Sequence, residues 1–285
     1  MRADLHVHSS ASDGTDAPGE VMRRAALAGL DVVALTDHDT VAGHAQAREA
    51  LPQALTLLPG MELSCRLDGH SLHLLAYLFD PGEPELAGQT RRLREDRELR
   101  ARAMVRRLAD LGVAVTWDQV AAIAGTGVVG RPHIARALVA SWAIAEAGQA
   151  FTRNWIGEGG RAYVERYALD PFRAIGMVRA AGGVTVLAHP RAGRGWAVSD
   201  EQIAGLAAAG LAGVEVFHPD QLETERAGLL GLSRDLGLVA TGGSDDHGRL
   251  TCHRIGCEVT ADDAYEILVG HATGANPVRR GKPVK

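Results

Sequence analysis

Short apolar runs alternate with amphipathic segments over most of the 285-residue chain. An apolar run at 3–8 precedes a helical pattern at 18–28, and the run at 32–35 precedes a second helical pattern at 44–50. This alternation is typical of an α/β fold with a parallel sheet. It resumes after residue 170, where the pattern predicts strands at 183–188, 213–217 and 238–241 and helices at 171–181, 199–209 and 223–236.

Two further apolar runs, at 55–63 and 71–78, are predicted to pair as a hairpin, because the turn-forming pair Asp68-Gly69 lies between them. The whole pattern then contains about seven strands. Histidines and carboxylates follow the strand ends, which is where functional groups collect in barrel enzymes. A distorted (β/α)7 barrel therefore explains the pattern better than an open doubly wound sheet.

Between 83 and 163 the chain becomes charged and helical, starting with a long amphipathic pattern at 86–112. We interpret 83–163 as a helical cap subdomain inserted into a barrel that is formed by 1–82 and 164–270. Residues 271–285 are rich in glycine, proline and charge and have no apolar period. We predict that they form a disordered tail.

Composition narrows the possible partners. A formal net charge of -5 argues against a broad basic surface for duplex DNA and favours small phosphorylated ligands. The three cysteines lack zinc-type spacing, the first residues lack an apolar signal region, and no apolar span of membrane length occurs. These features predict a reduced, cytoplasmic protein with no membrane partner. Nearly all basic residues are arginines, since the only lysines are Lys282 and Lys285.

The first strand carries two histidines with candidate metal chemistry. His6 and His8 alternate with Leu5 and Val7, so both imidazoles point to one face of the strand and could share a metal ion. The alternative is an ordinary pair of polar residues at a strand end. Asp13 follows in the loop SSASDGT, where an aspartate before glycine is also a common turn residue.

Three more candidates lie in the next strands. His38 lies in Asp37-His38-Asp39, which follows the apolar run VVALT just past the end of a buried strand. Glu62 lies near the end of another apolar run, where an ionised carboxylate needs a partner or a metal, and its two oxygens could bridge two cations. His73 lies within an otherwise apolar strand, where a histidine packed into the core is the alternative.

Later strand ends repeat the pattern. His189 closes the run VTVLAHP, and Asp245 and His247 close LVATGGSDDH with the two-residue separation of the first histidine pair; Asp246 between them is expected to face away. Of the twelve histidines, half lie at or near successive strand ends: His6, His8, His38, His73, His189 and His247. The joint pattern predicts a multinuclear metal site in a hydrolase.

The motifs HVHSSASDG, ALTDHD, GMELS, LHLLAY, LAHP and GSDDH resemble, in order and over nearly the whole chain, those of the PHP (polymerase and histidinol phosphatase) domain family. The segments GRPHIARAL and EVFHPD are similar to the branch of nucleoside 3',5'-bisphosphate phosphatases and 5'-to-3' exoribonucleases. The resemblance implies a barrel of PHP type and a phosphoesterase that acts on small phosphorylated nucleotides or short oligoribonucleotides. Alternatives are a histidinol-phosphate phosphatase and a non-catalytic metal-binding module.

The resemblance also implies three divalent metal ions, of which manganese is expected and iron or zinc are alternatives. It implies attack on phosphorus by a metal-bound hydroxide. The implied ligand sets are His6, His8 and Asp245 for one ion, His73 and His189 for a second with Glu62 bridging the two, and Asp13, His38 and His247 for a third.

Substrate contacts are predicted outside the metal ligands. In GTGVVGRPHIARAL a glycine-rich loop enters a helix, so Arg131 and His133 at the helix start could bind a second phosphate; the alternative is an ordinary loop. Arg161 stands where the relatives commonly have a lysine. His218 in EVFHPD is a candidate catalytic group beside Glu62, either as a proton donor to the leaving oxygen or as a residue that orients Asp220 or a ligand.

Overall fold

The computed structural model describes residues 1–192 and 196–280. One sheet runs through the fold in the strand order β1-β2-β3-β4-β5-β6-β7. The strands are β1 Ala3–Val7, β2 Val32–Leu35, β3 Thr56–Leu67, β4 His70–Tyr77, β5 Val184–Leu187, β6 Gly213–Phe217, β7 Val239–Gly242 and β8 Val278–Arg279. Every residue of β1, β2 and β5 is buried, as two-sided cover of parallel strands requires.

The sheet changes direction at the predicted hairpin. Strands β3 and β4 pair antiparallel from Gly60 opposite Tyr77 to Leu67 opposite His70, which confirms the hairpin. Strand β4 is also antiparallel to β5, and the remaining neighbours along the path are parallel. Val7 forms a parallel bridge with Asp246, so the end of β1 meets the segment after β7. The seven strands thus form a nearly closed barrel, which confirms the predicted fold class.

Helices alternate with most of the strands along the chain. Their bounds are α1 Pro18–Leu27, α2 His44–Glu49, α3 Pro84–Asp110, α4 Trp117–Ala124, α5 Arg131–Ala140, α6 Pro171–Ala180, α7 Asp200–Ala208, α8 Glu223–Leu236 and α9 Asp262–His271. Two 3₁₀ helices span Ala147–Phe151 and Gly248–Thr251. Within the described ranges, no helix has both the length and the apolar character needed to cross a membrane.

The chain divides into two compact units, one of residues 1–90 with the described residues from 168 onward, and one of residues 91–167. In the first unit, apolar side chains such as Leu5, Val186 and Leu268 form a buried cluster between the sheet and α9. In the second unit, Met104 and Leu138 belong to a separate buried cluster of helices α3 to α5. Each unit therefore has its own core.

The prediction of a disordered tail at 271–285 is wrong for Val278–Arg279, which form a strand. Strand β8 pairs antiparallel with β3, with Leu57 opposite Val278 and Thr56 opposite Arg279. Strand β4 pairs with β3 only from Gly60 onward, so β8 covers an edge of β3 that β4 leaves unpaired. Val278 also packs beside a buried apolar cluster that includes Leu57. Residues 281–285 of the predicted tail lie outside the described residues.

Candidate metal centre

Strand ends of the barrel deliver the predicted ligands to one place. His6 lies on β1 and His8 directly follows it, while His38 follows β2 and forms a parallel bridge with Glu62 on β3. His73 on β4 accepts a backbone hydrogen bond from Ala188, the residue before His189. The turn after β7 supplies Asp245 and His247, and the loop after β1 supplies Asp13.

Glu62 is the central carboxylate of the cluster and is only 1% exposed. Its Oε1 lies 2.7 Å from His73 Nδ1 and 3.2 Å from His189 Nε2. Its Oε2 lies 3.1 Å from His8 Nε2, 3.1 Å from His38 Nδ1 and 3.4 Å from His6 Nε2. Because each oxygen faces different histidines, Glu62 can bridge two cations.

Two more carboxylates, Asp245 and Asp13, face histidines of the cluster. Oδ1 of Asp245 lies 3.4 Å from His6 Nε2, 3.3 Å from His8 Nε2 and 3.5 Å from His247 Nδ1. Oδ1 of Asp13 lies 3.3 Å from His247 Nε2. All side chains predicted to bind metal are therefore gathered in one cluster.

Four overlapping groups of ligand atoms within this cluster are close enough to hold an ion, with the atoms of each group within 4.8 Å of one another. They are His8, Asp13, His38 and His247; His6, His8 and Asp245; His6, Glu62 and His189; and His38, Glu62 and His73. Two of these groups contain ligand sets that the resemblance implies, although His8 joins Asp13, His38 and His247 in one of them. His73 and His189, which the resemblance assigns to one ion, belong to separate groups, yet both face Oε1 of Glu62.

The cluster has the chemistry of a site for divalent cations. Each group combines imidazole nitrogens with carboxylate oxygens, a mixed donor set that manganese, iron or zinc can occupy. Burial disfavours charge on Glu62 and Asp245, yet the neighbouring histidines hold the pKa of each carboxyl well below its usual range. Nδ1 of His8 is buried, has no hydrogen bond, and lies 3.8 Å from Asp13 Oδ1, a gap that a shared cation would bridge.

The pKa values of two histidines are shifted in the opposite direction, upward. Burial alone would lower the pKa of His8, but hydrogen bonds and charge from Asp245 and Glu62 raise that pKa to about 10. The same balance, with Glu215 as the largest opposing charge, raises the pKa of His6 well above its usual value. Protons therefore compensate the carboxylates in the metal-free protein, and divalent ions would displace those protons.

Sequence reasoning missed Glu215, which supports two of the ligands. This buried residue of β6 places Oε1 3.0 Å from His6 Nδ1, and its Oε2 accepts a hydrogen bond of 2.8 Å from the backbone N–H of His189. The His6 contact favours the tautomer with Nδ1–H, which leaves Nε2 for a metal. The signal was available, because Glu215 lies in the apolar run GVEVF just as Glu62 lies in its own apolar run.

Asp37 and Asp246, which are sequence neighbours of candidate ligands, form hydrogen bonds to the loops near the cluster. Oδ1 of Asp37, next to His38, accepts hydrogen bonds from the backbone N–H of Ser9 and the hydroxyl of Ser12, in the loop that carries Asp13. Asp246 faces away from the cluster as predicted, because its carboxylate contacts Arg24 and accepts from the Thr251 hydroxyl.

His218 lies against a ligand. It is fully buried, its Nδ1 accepts a hydrogen bond from the backbone N–H of Asp220, and its Nε2 lies 3.4 Å from Asp245 Oδ2. With Nδ1 acting as the acceptor, the neutral ring carries its proton on Nε2 and donates toward Asp245. This geometry favours the orienting role that was one of the alternatives for His218.

The predicted substrate residues lie in the second unit. Arg131 begins helix α5, and its guanidinium lies 5.6 Å from the centre of the Phe151 ring. His133 is buried and its Nδ1 accepts a hydrogen bond from the backbone N–H of Gly130, so it caps the helix, a role that the sequence did not reveal. Arg161 is exposed.

Comparisons with known proteins show the family of this chain. A model of the PHP domain matches residues 4–110. The chain is 36% identical over 256 residues to a 3',5'-nucleoside bisphosphate phosphatase of Chromobacterium violaceum, covering 86% of each protein. It is 34% identical over 246 residues to a 5'-3' exoribonuclease of Haemophilus influenzae, covering 86% of this chain and 89% of the relative.

A solved structure from Bifidobacterium adolescentis, described as a metal-dependent phosphoesterase, aligns with a TM-score of 0.89 at 34% identity and covers 95% of this chain and 96% of that one. The fold, the ligand cluster and these relatives together define a hydrolase that acts on phosphoric esters. The chain belongs to the PHP domain family.

Proposed function

We propose that this chain is a metal-dependent phosphatase of small nucleotides that converts a nucleoside 3',5'-bisphosphate to the 5'-nucleotide. The observation that carries the proposal is the ligand cluster around the buried Glu62, in which three carboxylates and six histidines meet. A degenerate, non-catalytic module would be expected to lack some of these ligands. The similarity to the C. violaceum bisphosphate phosphatase supports the choice of substrate class.

Three divalent ions, with manganese first and iron or zinc as alternatives, would be held by the ligand groups of the cluster. When bound, such ions neutralise charge on phosphoryl oxygens and lower the pKa of water toward about 7. Glu62 would keep two ions at a fixed spacing, and His6 would present Nε2 because Glu215 holds Nδ1. His218 and Glu215 would orient ligands and need not exchange protons with the substrate.

Arg131, His133 and Arg161 would bind the second phosphate of the substrate. Arg131, Arg166 and Arg97 repel the charge of Arg100 in this unit. Burial together with these three charges lowers the pKa of Arg100 to about 9. An anion beside these arginines would relieve that repulsion. Arg131 is also the first residue of an α-helix, where backbone N–H groups favour phosphate.

A comparison of two substrates tests the proposal. Manganese-loaded protein should release phosphate from adenosine 3',5'-bisphosphate with a much higher kcat/KM than from histidinol phosphate. The matched control is the Glu62→Gln variant, which should be inactive toward both compounds. A clear preference for histidinol phosphate would overturn the nucleotide assignment, whereas equal rates for the wild type and Glu62→Gln on every ester would overturn the enzyme assignment.

The same centre is proposed to trim short RNA from the 5' end, as the name of the H. influenzae relative indicates for that protein. Oligoribonucleotides of about five residues with a 5'-phosphate should be shortened with release of 5'-mononucleotides. Product analysis at early times distinguishes this polarity from release at the 3' end. An intact oligonucleotide under conditions that convert the bisphosphate would restrict the function to mononucleotides.

A cytoplasmic location of the protein stays a prediction.

A further inference from the structure

Asp245 is held in a strained conformation at the cluster. Its φ of 49° lies in the left-handed region, which residues other than glycine seldom adopt. The two oxygens of its carboxylate have different surroundings. Oδ1 faces the candidate ligands His6 and His8, while Oδ2 lies 3.4 Å from His218 Nε2 and 3.7 Å from Arg254 Nη2.

Arg254 contacts this strained segment at several atoms. Its Nη2 donates a hydrogen bond of 3.3 Å to the backbone carbonyl of Asp245, and its Nη1 donates one of 3.2 Å to Asp220 Oδ1. Its backbone N–H donates to Asp246 Oδ1 at 2.8 Å. Arg254 thus contacts the main chain of Asp245, Oδ2 of its carboxylate and the side chain of Asp246.

We infer that Arg254 is a positioning residue that keeps Asp245 in the conformation in which Oδ1 faces the metal cluster. The inference deepens the proposed function, because it depends on the metal centre proposed above. Backbone contacts that secure a strained residue are needed for the strain to persist. The planar fork of a guanidinium suits this task, since its two terminal nitrogens reach Asp245 and Asp220 simultaneously.

Two effects of the guanidinium oppose each other. Its positive charge would repel a metal ion, whereas its hydrogen bonds hold the ligand in place. Asp220 lies 3.2 Å from Nη1 and offsets much of the charge, so we expect the positioning effect to be the larger one. Removal of Arg254 should therefore weaken metal binding. Loss of a residue that supports a metal ligand typically lowers the affinity about 10- to 100-fold.

The test is a metal titration of the full chain in competition with a fluorescent chelator, using manganese and then zinc. Arg254→Ala should show an affinity for the weakest-bound ion about 10- to 100-fold below that of the wild type. Arg249→Ala is the matched control, because Arg249 is an exposed arginine of the same segment. It should bind metal as the wild type does. Arg254→Lys, which keeps the charge without the fork, should also bind less tightly and serves if the alanine variant does not fold.

Kinetics separate positioning from substrate contact. Activity of Arg254→Ala should recover as the metal concentration is raised, with KM for adenosine 3',5'-bisphosphate close to that of the wild type. A KM that stays raised at saturating metal, or unchanged metal affinity in both Arg254 variants, would overturn the inference. Wild-type protein that binds no divalent ion would instead overturn the proposed metal centre, so the two failures are distinguishable.

Discussion

Nδ1 of His6 and Oε1 of Glu215 lie 3.0 Å apart, on the opposite side of the imidazole from the nitrogen that faces the candidate metal ligands. The same glutamate accepts the backbone N–H of His189 through its other oxygen. Glu215 therefore fixes the orientation of one ligand and the main chain of another. A carboxylate in this position raises the basicity of a metal-binding histidine and fixes its tautomer.

Replacement of Glu215 by glutamine should weaken the centre without removing a ligand. We expect Glu215→Gln to lower metal affinity about 10- to 100-fold and to lower kcat at limiting metal, because an amide holds the imidazole less strongly. Metal titration and steady-state kinetics check this prediction. Glu223→Gln is the control, because it makes the same change at an exposed glutamate at the start of α8. Equal metal affinities in the two variants would contradict the supporting role of Glu215.

Replacement of the ligands themselves should abolish turnover. Glu62→Gln and Asp245→Asn each remove one negative charge from the cluster while keeping side-chain volume. We expect bound metal to fall below the wild-type stoichiometry, with far-ultraviolet circular dichroism unchanged. Elemental analysis after desalting, combined with phosphate-release assays, measures both effects. Wild-type rates in either variant would refute its assignment as a ligand.

The backbone at Gly243 should not tolerate a side chain. A Cβ atom added there would overlap Cβ of His6 and would lie 2.8 Å from the backbone nitrogen of His6, an atom that cannot move away without displacing β1. We expect Gly243→Ala to destabilise the fold by about 1–3 kcal/mol, measured by denaturant unfolding. Gly231→Ala on α8 has open space around its Cβ and should be neutral or slightly stabilising. Equal stability of the two variants would contradict the tight packing at His6.

Arg131 should act on substrates with two phosphates. We expect Arg131→Ala to raise KM for adenosine 3',5'-bisphosphate by about tenfold while changing KM for a simple phosphomonoester little, because only the former has a second phosphate to bind. Arg106→Ala is the matched control, because Arg106 is an exposed arginine on α3. An equal effect of Arg131→Ala on both substrates would remove Arg131 from the proposed phosphate site.

The metal-free protein should lose stability as the pH is raised. Its His8 has a pKa of about 10, above the unfolded value of 6.5, so the folded state binds more protons between these values. The stability that protonated His8 contributes is complete below pH 6.5 and disappears as the pH rises toward 10. Thermal unfolding of chelator-treated protein between pH 6.5 and 9.5 should show a falling Tm. The His8→Ala variant should show a weaker dependence, and identical slopes would contradict this account.

The sequence predicted that these side chains gather at one place, for a physical reason. Parallel strands end at the same rim of a barrel, so polar residues after apolar runs, such as His38 and His189, converge there. The alternation of His6 and His8 gave their common face directly. The division of these side chains into groups was less accessible, because His73 lies on an antiparallel strand and its nearest neighbours depend on register.

Other features depend on contacts that no local pattern encodes. The role of Arg254 arises because the segment after β7 folds back over Asp245, and the capping role of His133 depends on the geometry of Gly130. The strand at Val278 forms only because the edge of β3 is open there. Glu215 could have been found from its own sequence context, since a carboxylate within a buried strand needs a partner.

The most direct test of the account is phosphate release from adenosine 3',5'-bisphosphate, with the nucleotide product identified by chromatography. Protein loaded with manganese should release the 3'-phosphate and leave 5'-AMP, and removal of the metal by a chelator should stop the reaction until manganese is restored. Release that is unaffected by the chelator, or 3'-AMP as the product, would contradict the account.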